Sequence, residues 1–175
     1  SYTTAEIGSV WPLDYTAFAD DLGLNGSLTL TANQSLTRGQ AAVLLANTLR
    51  AKTAGGQDYY QTISAVKSTT EAVLMDVSSS YGGSTGLLMA YALDGSGIQY
   101  YTQANAQSDA LIGCVGVLLF DGSGRVIGFV PESTDYLDLK IGSATATTLT
   151  AASGTSYRIS SGAKVIAAGE VYPYA

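Results

Sequence analysis

The spacing of apolar residues changes near residue 56. Before it, Trp11, Tyr15, Phe18 and Leu22 fall at i, i+4, i+7 and i+11, one stripe along an α-helix. Pro12 suits the first turn of that helix, where its missing N–H is not needed, and Gly23 suits its C-terminal cap. A second helix is predicted from Thr37. Thr37-Arg38-Gly39-Gln40 has capping-box spacing, in which the Thr hydroxyl and the Gln side chain each satisfy an exposed backbone amide. Ala41, Ala42, Leu45 and Leu49 then make its buried face. Arg50 and Lys52 lie favourably near its C-terminus, and Gly55-Gly56 ends it. Residues 25–35 form a polar loop between the helices, with Leu28 and Leu30 as apolar anchors.

After Gly56 the runs become short, rich in Val, Leu and Tyr, and punctuated by Gly and Ser. Nine strands are predicted: 71–77, 85–93, 97–103, 111–120, 124–130, 135–141, 145–150, 155–159 and 164–167. Asp94-Gly95-Ser96-Gly97 and Asp121-Gly122-Ser123-Gly124 repeat one tetrapeptide between strand-like runs. Both read as hairpin turns, because Asp tolerates turn conformations and Gly supplies positive φ. The expectation is an α+β chain. A helix–loop–helix unit over 1–55 precedes an all-β domain over 56–175, a small barrel or sandwich, since closure removes exposed strand edges.

Composition narrows the chemistry. Only 13% of residues are charged, against the roughly 25% of ordinary soluble domains. The polar surface must come instead from 19 Ser and 19 Thr, a composition that suits an extracellular surface. Histidine is absent, which removes Ser-His-Asp and Cys-His catalysis and His-ligated zinc. A net charge of −6 is the wrong sign for gripping phosphate backbones, so nucleic acid is not expected. The one cysteine forbids an internal disulfide and a multi-thiolate metal site. Cys114 stands in an apolar run and reads as a buried structural thiol. That run, Ala110 to Phe120, is too short for the ~20 residues that span a bilayer, so membrane insertion is not expected. The chain opens on Ser1 without a start methionine or signal peptide, and reads as a processed chain or a fragment. Each Asp-Gly-Ser-Gly turn offers one carboxylate, too few for a calcium loop. Asp20 and Asp21, or Asp135 and Asp138, read as solvated acids rather than a catalytic pair. No enzyme and no cofactor is expected.

Twelve tyrosines are the remaining candidates, because the C–H face of a sugar packs on an exposed ring. Tyr81, Tyr91, Tyr100, Tyr101, Tyr136 and Tyr157 belong to the β segment. Tyr100 and Tyr101 are neighbours on a strand and must point oppositely, one toward the core and one toward solvent.

The helical segment carries Trp11, Ala19, Leu22-Gly23-Leu24, Gly26 and then Leu36-Thr37-Arg38-Gly39-Gln40-Ala41-Ala42-Val43-Leu44-Leu45. This resembles an S-layer homology (SLH) repeat over about residues 5–51. Gln40 stands where the family usually has an acidic residue, Gly39 where it has Ala, and the loop lacks the Pro-Asp-Gly-x-Phe stretch. The β segment, through residues 116–131, 156–159 and 164–166, looks like small barrel domains that follow such repeats in surface proteins of Gram-positive bacteria. The resemblance implies a non-catalytic, wall-associated extracellular protein, with further SLH repeats in the full-length product. It also implies an anionic, ketal-bearing cell-wall polysaccharide as partner. Arg38 is then the candidate cation, in the first turn of its helix where free amides also favour an anion. Trp11 is the candidate sugar-packing ring. The alternatives are an Arg38 paired with Asp20 or Asp21, and a Trp11 buried as a core knob of its stripe. A different function fits the same residues: a carbohydrate-binding module using exposed tyrosines of the β domain.

Overall fold

The computed structural model describes residues 2–31, 34–132, 139–160, 162–167 and 170–173. The chain is α+β and divides into two compact units, 1–67 and 68–175. Among the described residues, no helix is long and apolar enough to cross a membrane.

The first unit holds α1 (Thr4–Ile7), α2 (Leu13–Asp21) and α3 (Arg38–Arg50), then a 3-10 turn at Tyr59–Thr62. Helix α2 ends as the sequence suggests. Gly23 N–H donates to the Asp20 carbonyl and Leu24 N–H to that of Ala19, with Gly23 at φ +70°, which closes the last turn on its orphan carbonyls. Helix α3 starts with the expected capping box: Gln40 N–H donates to Thr37 Oγ1 at 3.2 Å, and Thr37 N–H to Gln40 Oε1 at 2.9 Å. Its end differs from expectation. The helix stops at Arg50, and Ala51 is already extended. Lys52 pairs with Asp58 as an antiparallel bridge, reinforced by a 2.8 Å ion pair, and this draws the chain out of the helix. Gly56, at φ +79°, therefore serves the turn closed by its N–H on the Thr53 carbonyl, not a helix cap. The same bridge keeps residues 56–67 with the helices, so the unit boundary falls downstream of the change in apolar spacing.

The buried face expected on α3 is only partly formed. Ala41 and Leu49 are half-buried, whereas Ala42 and Leu45 are exposed, Leu45 to 70%. The contacts lie at the C-terminal half: Asn47 Nδ2 donates to the Leu24 carbonyl at 2.8 Å, and the 3-10 turn packs on the helix. The buried aromatic of this unit is Tyr60, 7% exposed, which the helical spacing gave no reason to select.

The second unit is built on a five-stranded antiparallel sheet in the order β3-β2-β1-β4-β5. Its strands are β1 (Ser68–Tyr81), β2 (Ser84–Ala92), β3 (Gly97–Tyr101), β4 (Val115–Phe120) and β5 (Val126–Pro131). The β2–β3 and β4–β5 hairpins turn at the two Asp-Gly-Ser-Gly segments. A second, three-stranded sheet holds β6 (Ile141–Thr145), β7 (Thr148–Ala151) and β8 (Ser156–Arg158), and β9 (Lys164–Ala167) pairs with β10 (Glu170–Pro173). Several expectations shift. Residues 145–150 turn at Ala146-Thr147 to join two strands instead of forming one. Residues 111–114 belong to a 3-10 turn (Asp109–Leu111) and the link that follows, because Gly113, at φ +89°, breaks the run before β4. Strand β10 was not expected. The predicted strand at 135–141 falls largely outside the described residues.

Among the described residues no closed barrel forms. The sheet instead curls, for a reason visible in β1. Its pairing with β2 shifts register three times between Leu74 and Tyr81, and each bulge adds twist. Asp76 sits at the first two shifts, accepting from Ser78 N–H at 3.0 Å and from the hydroxyl of Ser79, a buried polar residue. Gln103 fills the gap so created, its Nε2 donating to the Val77 carbonyl at 2.8 Å and the Gly86 carbonyl at 3.0 Å. The curl brings the segment after β3 to β5, where Gln103 forms a single parallel bridge with Val126. One bridge does not make a ladder, and the sheet remains open. Inside it, Leu74, Leu88, Leu118, Phe120, Val126 and Phe129 form the core with Cys114 among them; Leu118 and Phe120 alternate on β4, whereas a register shift in the β4–β5 pairing leaves Val126 and Phe129 three positions apart. Gly116 lets β5 approach, since a Cβ there would stand 2.4 Å from the Val130 carbonyl oxygen.

Two outcomes follow from this packing. Cys114 is 7% exposed, so it reacts with a thiol reagent only as the β unit unfolds, and Cys114→Ala costs about 1 kcal/mol in a urea titration. Gln103→Ala leaves two strand carbonyls without their donor and lowers stability by about 1–3 kcal/mol in the same measurement.

Candidate functional site

Arg38 opens α3, immediately after the Thr37 cap, and its side chain is exposed. Among the described residues no ion pair joins it to Asp20 or Asp21. Asp20 is engaged otherwise, accepting a hydrogen bond from Asn25 Nδ2. The first N–H groups of α3 and the helix dipole favour an anion at the end of the helix that carries Arg38. Trp11 is 75% exposed, which excludes its role as a core knob. Its ring meets Tyr15 edge-on, with centroids 5.2 Å apart. The stripe predicted from Trp11 to Leu22 is therefore covered only toward its C-terminal end, where Phe18 and Leu22 are half-buried. Phe18 packs edge-on against Tyr2 at 4.8 Å. The structure records no contact between Arg38 and Trp11, which stand on α3 and ahead of α2.

A separate cavity of about 470 Å³ lies in the helical unit. Its walls include Tyr2, Tyr59, Leu24, Thr48, Lys52 and Thr62, and neither Arg38 nor Trp11 borders it. Three of its hydroxyls are committed to the unit itself. Tyr2 donates its hydroxyl to the Lys52 carbonyl at 2.8 Å, and the hydroxyls of Thr48 and Thr62 donate to backbone carbonyls at 2.7 Å. Neighbouring Tyr60 is held protonated more firmly than an ordinary phenol, first by burial and then by the Asp58 carboxylate beside it.

On the β unit the acidic turn residues satisfy their own loops. Asp94 accepts from Ser96 N–H at 2.9 Å and from its hydroxyl at 2.7 Å. Asp121 accepts from the N–H groups of Ser123 and Arg125 at 2.8 and 3.0 Å, and its second oxygen meets the Arg125 guanidinium at 2.8 Å. These bonds favour the charged form. The Asp94 carboxyl is lowered first by the Ser96 hydroxyl, and that of Asp121 first by the Arg125 amide. Asp76 is lowered in the same way, first by the Ser79 hydroxyl. Among the described residues, no three His, Cys, Asp or Glu side chains gather as metal ligands would.

The tyrosines sort by strand parity. Tyr101 turns inward, half-buried, with its ring edge-on to Phe120 at 5.1 Å. Burial raises its hydroxyl above the ordinary phenol value, with Asp94 adding to the shift. Tyr100 turns to the opposite face and stacks on Tyr81, centroids 4.3 Å apart and planes 6° from parallel. Spacing along the chain could not foretell that pair, because the residues are joined only through the pairing of three strands.

No family model, curated protein or solved structure matches the chain.

The lowered carboxyls set a pH dependence. Their stabilisation is complete above the ordinary carboxylate pKa of about 4 and is lost as pH falls through the lower folded-state values. With no histidine in the chain, the urea midpoint should stay flat from about pH 5 to 8 and fall below about pH 4. Asp121→Asn should lower the neutral-pH midpoint and shrink that acid-side fall.

Proposed function

We propose that the chain belongs to a non-catalytic, wall-associated bacterial surface protein. Its helical unit acts as an SLH-type repeat that anchors to cell-wall polysaccharide, and the β unit is an accessory domain. The observation that carries this reading is the state of Arg38. The Thr37-Arg38 pair opens a capped, 13-residue helix, and the guanidinium stands in solvent free of Asp20 and Asp21. In a chain of net charge −6, an anionic glycan needs such a local cation. The planar fork of Arg can hold a carboxylate through two parallel bonds, while the free amides of the first turn add donors. Trp11 offers a large exposed ring in the same unit, suited to the C–H face of a sugar. Further repeats in the full-length protein would complete the binding surface.

The test is binding of the chain, joined to the segment that precedes it in its gene product, to purified wall polysaccharide with and without pyruvyl ketals. Arg38→Ala should weaken binding to the ketal-bearing polymer about tenfold or more and leave the weaker binding to the ketal-free polymer unchanged. Equal affinity of Arg38→Ala and the parent for the ketal-bearing polymer would remove Arg38 from the site.

A further inference from the structure

The Tyr81–Tyr100 stack plays no part in the anchoring reading, and its surroundings are those of a binding platform. Tyr81 ends β1 and Tyr100 lies on β3, with β2 between them, so the curl of the sheet is what brings the rings together. The rings cover one face of each other. Tyr81 is still 63% exposed, so much of its surface remains open to solvent. Beside it, Gly82, Gly83 and Gly86 all hold positive φ, and a Cβ at any of them would meet nothing within 4 Å. The turn is therefore bare around the ring. Exposed Ser84 stands directly across from Tyr81 in the β1–β2 ladder.

From this arrangement we infer that the β1–β2 hairpin binds a neutral glycan, with Tyr81 as the stacking surface and Tyr100 as its backing. An open ring face takes an apolar ring face. A β-linked pyranose with equatorial hydroxyls supplies one, since its axial hydrogens lie together while its hydroxyls point to the rim. Across from Tyr81, the Ser84 hydroxyl can donate to and accept from that rim. The backing ring fixes the Tyr81 side chain, so less rotamer freedom is lost on binding. Charge selects the neutral class: residues 68–175 carry nine acidic against four basic residues, which repels a polyanionic chain. The site therefore differs in ligand from the anionic polymer proposed for Arg38, and it stands or falls independently of that proposal.

The experiment uses the whole chain, with amide chemical shifts followed by NMR during titration with cellohexaose. In parallel, it is titrated with the corresponding β-linked glucuronate hexamer. The expected result is weak binding of cellohexaose, with a Kd on the order of 1 mM, moving signals of residues 80–86 and 100. The glucuronate hexamer should move them less. Tyr81→Ala should weaken cellohexaose binding about tenfold, whereas Tyr81→Trp should retain it. Tyr100→Ala should weaken it too, by freeing the Tyr81 ring. The inference is overturned if those signals stay still at saturating cellohexaose, or if the anionic hexamer binds better. It is equally overturned if Tyr81→Ala, folded by its unchanged spectrum elsewhere, binds as the parent does. A stack that served only the fold would lower the melting temperature of Tyr81→Ala and show no cellohexaose shifts in the parent.

Discussion

The irregular pairing of β1 with β2 is the constraint on which the β unit depends. Strand β1 is hydrogen-bonded on both edges, to β2 and to β4, so any distortion in it passes to the whole sheet. The Asp76 carboxylate holds that distortion by accepting from Ser78 and Ser79 within its own strand. A regular ladder there would leave the sheet flatter, with its edges apart. With the bulges, the sheet wraps its core residues, Gln103 finds two carbonyls that the ladder has left open, and the chain after β3 reaches Val126. Tyr81 owes its position to the same bend.

The two units are held together by different means. In the β unit, alternating Leu, Phe and Val side chains lose nearly all contact with water, and burial is the main stabilising term. None of the residues of α1, α2 or α3 is fully buried. Their unit depends on the capping box at Thr37, the Gly23 cap, the Asn47 bond to Leu24 and the packing of Tyr60. Apolar surface is consequently left over at Val10, Trp11, Leu13 and Leu45.

Both units present aromatic rings, in different electrostatic settings. Trp11 belongs to a unit whose acidic and basic residues nearly balance, and which carries the unengaged Arg38. Tyr81 belongs to the unit that holds most of the negative charge. Where the β unit has turn carboxylates, at Asp94 and Asp121, their lone pairs are spent on loop amides and on Arg125. They shape hairpins.

Local signals in the sequence determined the α+β class, the Thr37 cap, the Gly23 stop, the two Asp-Gly-Ser-Gly hairpins and the opposite facing of Tyr100 and Tyr101. Each depends on residues within a few positions of one another, through a hydrogen bond, a positive φ or strand parity. The failures share a cause of the opposite kind. Helix α3 stops early because Asp58 captures Lys52, and the sheet stays open because a single bridge, Gln103 to Val126, is all that joins the segment after β3 to β5. Leu45 lies exposed because amphipathic spacing marks a face without stating whether anything covers it. The absence of an ion pair between Arg38 and Asp20 or Asp21, the exposure of Trp11 and the meeting of Tyr81 with Tyr100 were settled only by tertiary structure. They depend on which distant groups arrive alongside, and pairing between strands and helices carries no trace in the spacing of residues along either one.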